Sequence, residues 1–242
     1  MKTEKGTSIN IPLSNSDEIS EIDFIEFVTN DTVQKVEKEI DLSNIIMNFD
    51  LEATPDAEVR LVFDEQIGDV MKATGEGELE FRINQQGDFN IYGDYKIKDG
   101  DYLFTLQNII NKRFDLEEGG TIKWNGDPYD AQLNLTAVYR LRARLYELLA
   151  GAEDSATAAI YKKRTPVNLK LIMTKSMLNP DIAFDIELPT ADETTKSKVR
   201  SILYVSDQQE NIQELNKQVF SLLVLNQFIP PNGQGGGTYG NV

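Results

Sequence analysis

Residues 119–139 read GGTIKWNGDPYDAQLNLTAVY. From Ala131 onward every second residue is apolar, through Leu133, Leu135, Ala137 and Tyr139, with Gln132, Asn134 and Thr136 between them and Val138 as the exception. Alternation of this kind marks a strand with one dry face and one wet face. The pattern recurs along most of the chain. It is present at Ile9, Ile11 and Leu13, then at Ile45, Met47, Phe49, Leu51 and Ala53, and again at Val59, Leu61 and Phe63. A longer run passes through Met71, Ala73, Gly75, Gly77, Leu79, Phe81 and Ile83, and its two glycines predict a bulge or bend inside a strand. Further runs follow at Phe89, Ile91, Gly93, Tyr95 and Ile97, at Tyr102, Phe104 and Leu106, and at Phe114 and Leu116. The segments TPDA, DEQIGD, QQGD, KDGD and EEGG separate these runs and read as tight turns between antiparallel neighbours. DFIEFV at residues 23–28 is a further apolar stretch, and residues 30–41 read as a loop or insertion.

The period changes twice. LRARLYELLAGAEDSATAAIYKKR, residues 141–164, has helix-favouring residues and no alternation, so it predicts a short helix with a polar excursion. Strands resume at Val167, Leu169, Leu171 and Met173, and at Ile182, Phe184, Ile186 and Leu188. Thr190 with Glu193, and Ser206 with Gln209, fit capping boxes and predict two consecutive helices. Ile212, Leu215, Val219, Leu222 and Leu223 form one apolar stripe on the second, expected to pack against one end of the sheet. The organisation expected is an N-terminal piece over residues 1–43, a coiled antiparallel β-domain over 44–189, a helical segment over 190–228 and a Pro/Gly-rich tail over 229–242. The tail has the composition of a flexible linker.

Composition excludes several chemistries. The 242 residues carry a formal charge of −16 with 40% hydrophobic residues, as expected of a folded acidic protein. That balance disfavours nucleic acid, which demands clustered Lys and Arg, and predicts repulsion from anionic lipid headgroups. Cysteine and histidine are both absent, so thiolate nucleophiles, Ser-His-Asp triads and the usual zinc sites are excluded. No apolar run approaches the roughly 18 residues of a membrane span. MKTEKGTSINIPLSNS has no signal-peptide core, so the sequence reads as cytosolic or as a fragment.

The chemical motifs have plainer explanations. The glycines of TGEGELEF lie inside a strand pattern with no helix after them, which argues against a phosphate loop. Asp50 with Glu52, Asp99 with Asp101, and Asp181 with Asp185 and Glu187 could serve glycoside hydrolysis or hold calcium. Asp185 and Glu187 occupy the wet side of a strand whose other side is Phe184 and Ile186, so a solvated face explains them better. Trp124, Tyr95, Tyr102 and Tyr139 could form a sugar-stacking platform, but they fall on the dry phase. No catalytic residue, metal site or cofactor is expected, and the chain reads as a non-enzyme.

A dry face this long must be buried, in stacked sheets, in a closed barrel, or in one coiled sheet folded over a channel. Periodicity does not separate the three. The order G-x-Y-x-I (93–97), G-x-Y-x-F (100–104), G-x-I-x-W-x-G-D-P (120–128) and then LNLTAVY resembles the C-terminal region of the TamB translocation and assembly module family, over roughly residues 44–230. That family also belongs with the AsmA-like, bridge-like lipid transfer proteins. The resemblance implies a mainly β fold, an antiparallel meander coiled into a taco-like sheet with a hydrophobic trough, and two helices near the C-terminus. It implies a role in outer-membrane biogenesis, in phospholipid transport between membranes and in protein assembly, as the periplasmic part of an inner-membrane-anchored protein. Phospholipid acyl chains and an outer-membrane barrel of TamA or BamA type are the partners it implies. The missing anchor and the helical excursion depart from the family pattern, and the chain reads as a fragment. Candidate trough residues are Leu79, Phe81, Ile83, Phe89, Ile91, Tyr95, Ile97, Tyr102, Phe104, Ile122, Trp124, Leu133, Leu135 and Tyr139. The alternative is a scaffold whose apolar face packs on itself and whose sheet edge recruits the barrel by strand addition.

Overall fold

The computed structural model describes residues 2–12, 46–64, 68–86, 88–106, 110–149, 155–204 and 208–231. The expectations for Leu13, residues 23–41, Ile45, Ser206 and residues 232–242 lie outside them. Among the described residues ten strands form one mixed sheet: β1 (Ser8–Pro12), β2 (Met47–Ala53), β3 (Glu58–Asp64), β4 (Asp69–Ile83), β5 (Phe89–Leu106), β6 (Ile110–Leu116), β7 (Thr121–Gly126), β8 (Gln132–Arg144), β9 (Arg164–Ser176) and β10 (Asp181–Glu187). Helices α1 (Tyr146–Leu149) and α2 (Ser155–Tyr161) separate β8 from β9, and α3 (Glu193–Leu203) and α4 (Gln208–Leu225) follow β10. The mainly β architecture with helices near the C-terminus agrees with the sequence reading. By contacts the chain divides into two compact units, Met1–Ala137 with Ile172–Ile182, and Val138–Leu171 with Ala183–Val242.

The connectivity of the first unit departs from a meander. TPDA does not reverse the chain: β2 and β3 both run antiparallel to β4, Ala53 opposite Gly77 and Glu58 opposite Thr74, so they lie end to end along it. EEGG behaves the same way, because β6 pairs with residues 101–106 of β5 and β7 with residues 91–96. Nor is KDGD a turn, since β5 continues through it as a single 18-residue strand. Thr74 faces Asp99 and Gly75 faces Ile97, which leaves Lys98 as the extra residue of a β-bulge. Three features therefore fall on one line across the sheet: the step between β2 and β3, the bulge, and the step between β6 and β7, where Ile97 exchanges backbone hydrogen bonds with Gly119 and Gly120. Turn residues mark a local break in each strand, and at these three places the break is a crease in the sheet. The pairing of β1 with β3 is parallel, which a connection far longer than a hairpin loop makes possible.

Glycines permit close strand approach at the crease and farther along β5. A Cβ on Gly75 would stand 2.2 Å from the carbonyl oxygen of Lys96 and 3.0 Å from the Tyr95 ring. At Gly93, where φ is +126°, it would stand 2.1 Å from the carbonyl oxygen of Glu78.

In the second unit β8 runs on to Arg144, so the first four residues of the expected helix are strand, and helix begins at Tyr146. Helix α3 is capped by Asp192, whose carboxylate accepts from the Thr195 backbone N–H and hydroxyl, rather than by Thr190 with Glu193. On α4, Val219, Leu222 and Leu223 are buried and Leu215 is half-buried, but Ile212 is 60% exposed and drops out of the stripe. After α4 the chain reverses at Asn226, where φ is +53°. The returning segment is held by the Gln218 amide, which donates to the Ile229 carbonyl at 2.8 Å and accepts from its N–H at 3.0 Å. Phe228 is buried beside it.

Candidate functional site: the apolar face of the sheet

Alternation places the candidate residues on one face, and register brings them together. Directly opposite residues share a face. Phe81 pairs with Ile91 and Ile83 with Phe89 across β4 and β5, Tyr95 pairs with Ile122 and Gly93 with Trp124 across β5 and β7, and Ile122 pairs with Leu133 across β7 and β8. The bulge preserves facing along β5. Lys98 and Asp99 both point outward, so inward residues change from odd (Tyr95, Ile97) to even (Tyr102, Phe104) without leaving the face.

Depth on this face is graded. Leu79, Phe81, Ile83, Ile91, Tyr95, Ile97, Tyr102, Phe104, Ile122, Trp124, Leu133 and Leu135 are buried, with Ile122 at 0% and Leu135 at 1% exposure. Phe89 and Tyr139 are half-buried; Tyr139 belongs, with Asn226, to the second unit, where its hydroxyl stands 3.4 Å from Asn226 Oδ1. Met71, Phe114 and Ile110 belong to the same buried set. The first two were legible in the alternation, and Ile110 was not. At the far end of β2, Met47 is 39% exposed and Phe49 and Leu51 are half-buried. Phe49 stacks on Phe81 with ring centroids 4.9 Å apart, and Phe81 on Phe89 at 5.6 Å. The apolar face therefore ends in an accessible aromatic mouth at Met47, Phe49 and Phe89. Across the crease, Phe63, Tyr102, Phe104 and Phe114 form a second aromatic chain with centroids 5.7 to 6.0 Å apart.

Polar atoms on this face are few. The Trp124 indole N–H donates to the Pro128 carbonyl at 3.0 Å, closing the NGDP turn. The Tyr95 hydroxyl is buried without a hydrogen-bond partner among the described residues, and burial raises its pKa well above the ordinary phenol value. Tyr102 is raised as well, by burial first and then by the charge of Asp69 and a hydrogen bond to it.

The opposite face is acidic. A surface hollow of about 490 Å³ is lined there by Asp50, Glu52, Glu78, Glu80 and Tyr92 together with Leu51, Leu79 and Gly93. Arg82 lies 2.7 Å from Glu80 and Lys2 2.7 Å from Glu52. The hydrogen bond from Arg82 is the main reason that the Glu80 pKa is lowered. Of the other acidic groups, Asp101 pairs with Arg113, Asp181 with Lys175 and Glu187 with Lys170, while Asp185 accepts from the Tyr204 hydroxyl and Asp99 from the Gly100 backbone N–H. Among the described residues no three acidic side chains gather as metal ligands would.

The family model described as the TamB C-terminal domain matches residues 1–242, the whole length of the sequence. The chain belongs to that family. No curated protein matches it. The TamB family is a non-enzymatic, envelope-associated group that serves outer-membrane biogenesis, broadly protein assembly and lipid transport, and works with barrel proteins of TamA type. Among the described residues of this TamB domain no helix is long and apolar enough to cross a membrane.

Proposed function

We propose that this TamB domain is a non-enzymatic module in which phospholipid acyl chains engage the apolar face of the sheet through the mouth at Met47, Phe49 and Phe89. The supporting observation is the gradient just described: a continuous face lined by apolar side chains, closed at Leu135 and Ile122 and accessible where β2 begins. Exposing a lipid tail to water costs about 0.8 kcal/mol per methylene, so a single chain crossing water unaided costs on the order of 10 kcal/mol. Passing a tail from a bilayer to an apolar face exchanges one apolar surrounding for another, so entry is close to neutral and release stays possible. The headgroup stays in water. Family membership supports, as parts of the same reading, a periplasmic location and a TamA- or BamA-type barrel partner.

A scaffold reading has its own support, since Tyr95, Ile122, Trp124, Leu133 and Leu135 are buried as deeply as any protein core. In that reading the face packs only on itself and the partner joins a sheet edge. Photo-crosslinkers at Phe49, Phe89 and Leu135, tested with phospholipid present, separate the two. Labelling of lipid from Phe89 and Phe49 supports acyl entry at the mouth. Lipid labelling from none of the three, with only apo mass in native mass spectrometry, rejects it in favour of the scaffold.

A further inference from the structure

The formal charge of −16 conceals a local excess of the opposite sign. Residues 139–171 hold seven cations and three acids, Glu147, Glu153 and Asp154. Six of those cations are exposed: Arg140, Arg142 and Arg144 on β8, and Lys162, Lys163 and Arg164 at the junction of α2 and β9. Read as a helix, the run RLRAR would scatter its arginines around an axis. As a strand it points all three the same way, about 6.8 Å apart. The two groups meet, because Arg142 Nη2 donates to the Arg164 carbonyl at 3.0 Å, and Lys162 Nζ lies 4.7 Å from the centre of the Tyr146 ring. Beside them α2 carries Ile160, 61% exposed.

We propose that this arginine face of the second unit docks the module onto an anionic phospholipid surface. Guanidinium forks suit phosphate oxygens, and a row of them held by one strand suits a planar array of phosphates better than a single pocketed anion. Ile160 supplies an apolar contact at headgroup depth. An acidic protein segment would satisfy the charges but would make no use of an exposed Ile160. Acidic groups farther than about 8 Å from this face subtract little from the attraction, because salt at physiological strength screens them. The expectation that anionic headgroups are repelled, drawn from net charge, is replaced here by a local attraction.

The test is flotation of the full chain with vesicles of phosphatidylcholine, alone or with about one-third phosphatidylglycerol. Each Lys or Arg near an anionic surface contributes about fivefold to partitioning, so R140Q/R142Q/R144Q should bind on the order of 100-fold more weakly. R140K/R142K/R144K should retain most of the binding, and raising salt from about 0.1 M to about 0.5 M should abolish it. Thermal melting followed by far-ultraviolet circular dichroism checks that each variant is folded, since Trp124 lies in the other unit. Should the Gln variant misfold, the lipid comparison, the Lys variant and the salt dependence still decide. Equal binding to neutral vesicles, binding insensitive to salt, or a folded Gln variant that binds like the wild type overturns the proposal. Failure of the wild type to bind vesicles while it captures polyglutamate overturns it in favour of an acidic protein partner. None of these results depends on acyl chains entering at Phe89.

Discussion

Replacing Leu135 by Asp puts the depth of the apolar face to a quantitative test. Leu135 is 1% exposed, and its Cδ2 would stand 3.0 Å from a Cβ added to Gly120, so it fills the space over the step between β6 and β7. Removing it from that site forfeits about 1.5–3 kcal/mol of burial. A carboxylate left there without a partner costs roughly 3–5 kcal/mol more. The total is comparable to the 5–15 kcal/mol that separates folded from unfolded states in most domains, so the variant should lose cooperative unfolding or populate the unfolded state at room temperature. Leu135→Ala isolates the cavity contribution and should cost about 2–5 kcal/mol. With a urea dependence of about 3 kcal/mol/M, that loss moves the midpoint down by on the order of 1 M. Trp124 is the single tryptophan of the chain, buried at 2% in the same unit, so its fluorescence reports this transition. Phe89→Asp, at the half-buried mouth, should shift the midpoint far less. A Leu135→Asp protein with a wild-type midpoint would refute the reasoning, because the side chain would then face water.

Deletion of Lys98 removes the bulge but leaves the sequence Ile97-Asp99-Gly100 alternating in, out, in, so the protein should fold with Tyr102 still buried; deletion of Lys96 should drive Lys98 inward in place of Ile97 and lower the urea midpoint sharply. Equal effects of the two deletions would contradict the bulge assignment. Gly93→Ala meets both a φ of +126° and a carbonyl at 2.1 Å, and should cost more than about 1–3 kcal/mol in chemical denaturation. The Tyr129 pKa is pushed up to about 12, by burial first and then by the charge of Asp127. An unfolded tyrosine releases its proton near pH 10. The folded state holds that proton more tightly, so this contribution to stability is complete below about pH 10 and is lost as pH rises from there toward 12. Ultraviolet titration of Tyr129→Phe against the parent should show one high-pH phenol fewer.

The strands were legible because their dry residues repeat at a period of two, and because register then follows from keeping those residues on one side. The connections were not. TPDA, KDGD and EEGG hold the residues that reversals use, yet each serves as a step or bulge, since Gly, Asp and Pro report a local departure from extended backbone and not the direction in which the chain resumes. Lys98 shows why pattern alone could not tell: a turn and a bulge both shift the parity of the inward residues, from Ile97 to Tyr102. RLRAR was misread through helix propensity, which tertiary pairing overrides. The Arg-x-Arg-x-Arg alternation was present, but its apolar counterpart, Leu141-x-Ala143-x-Leu145, gives a weak dry phase because Ala143 is small.

The crease and the gradient in burial bear on each other. A long regular strand pair has no reason to be tight at one end and accessible at the other, whereas bulges and breaks raise local twist and let the panels on either side pack differently. The breaks here fall at the level of Gly75, Ile97 and Gly120. On the side toward Phe104 and Phe114 the aromatic rings meet edge-on and are buried; on the side toward Phe49 and Phe89 they stack in parallel beside an exposed Met47. Straightening β5 by deleting Lys98 should therefore alter exposure at Phe49 and Phe89 more than at Phe114, although the deletion lies nearer to Tyr102 in sequence. Lipid crosslinking from Phe89 in that variant, compared with its parent, measures whether the crease sets the opening of the mouth; unchanged crosslinking would separate the two features.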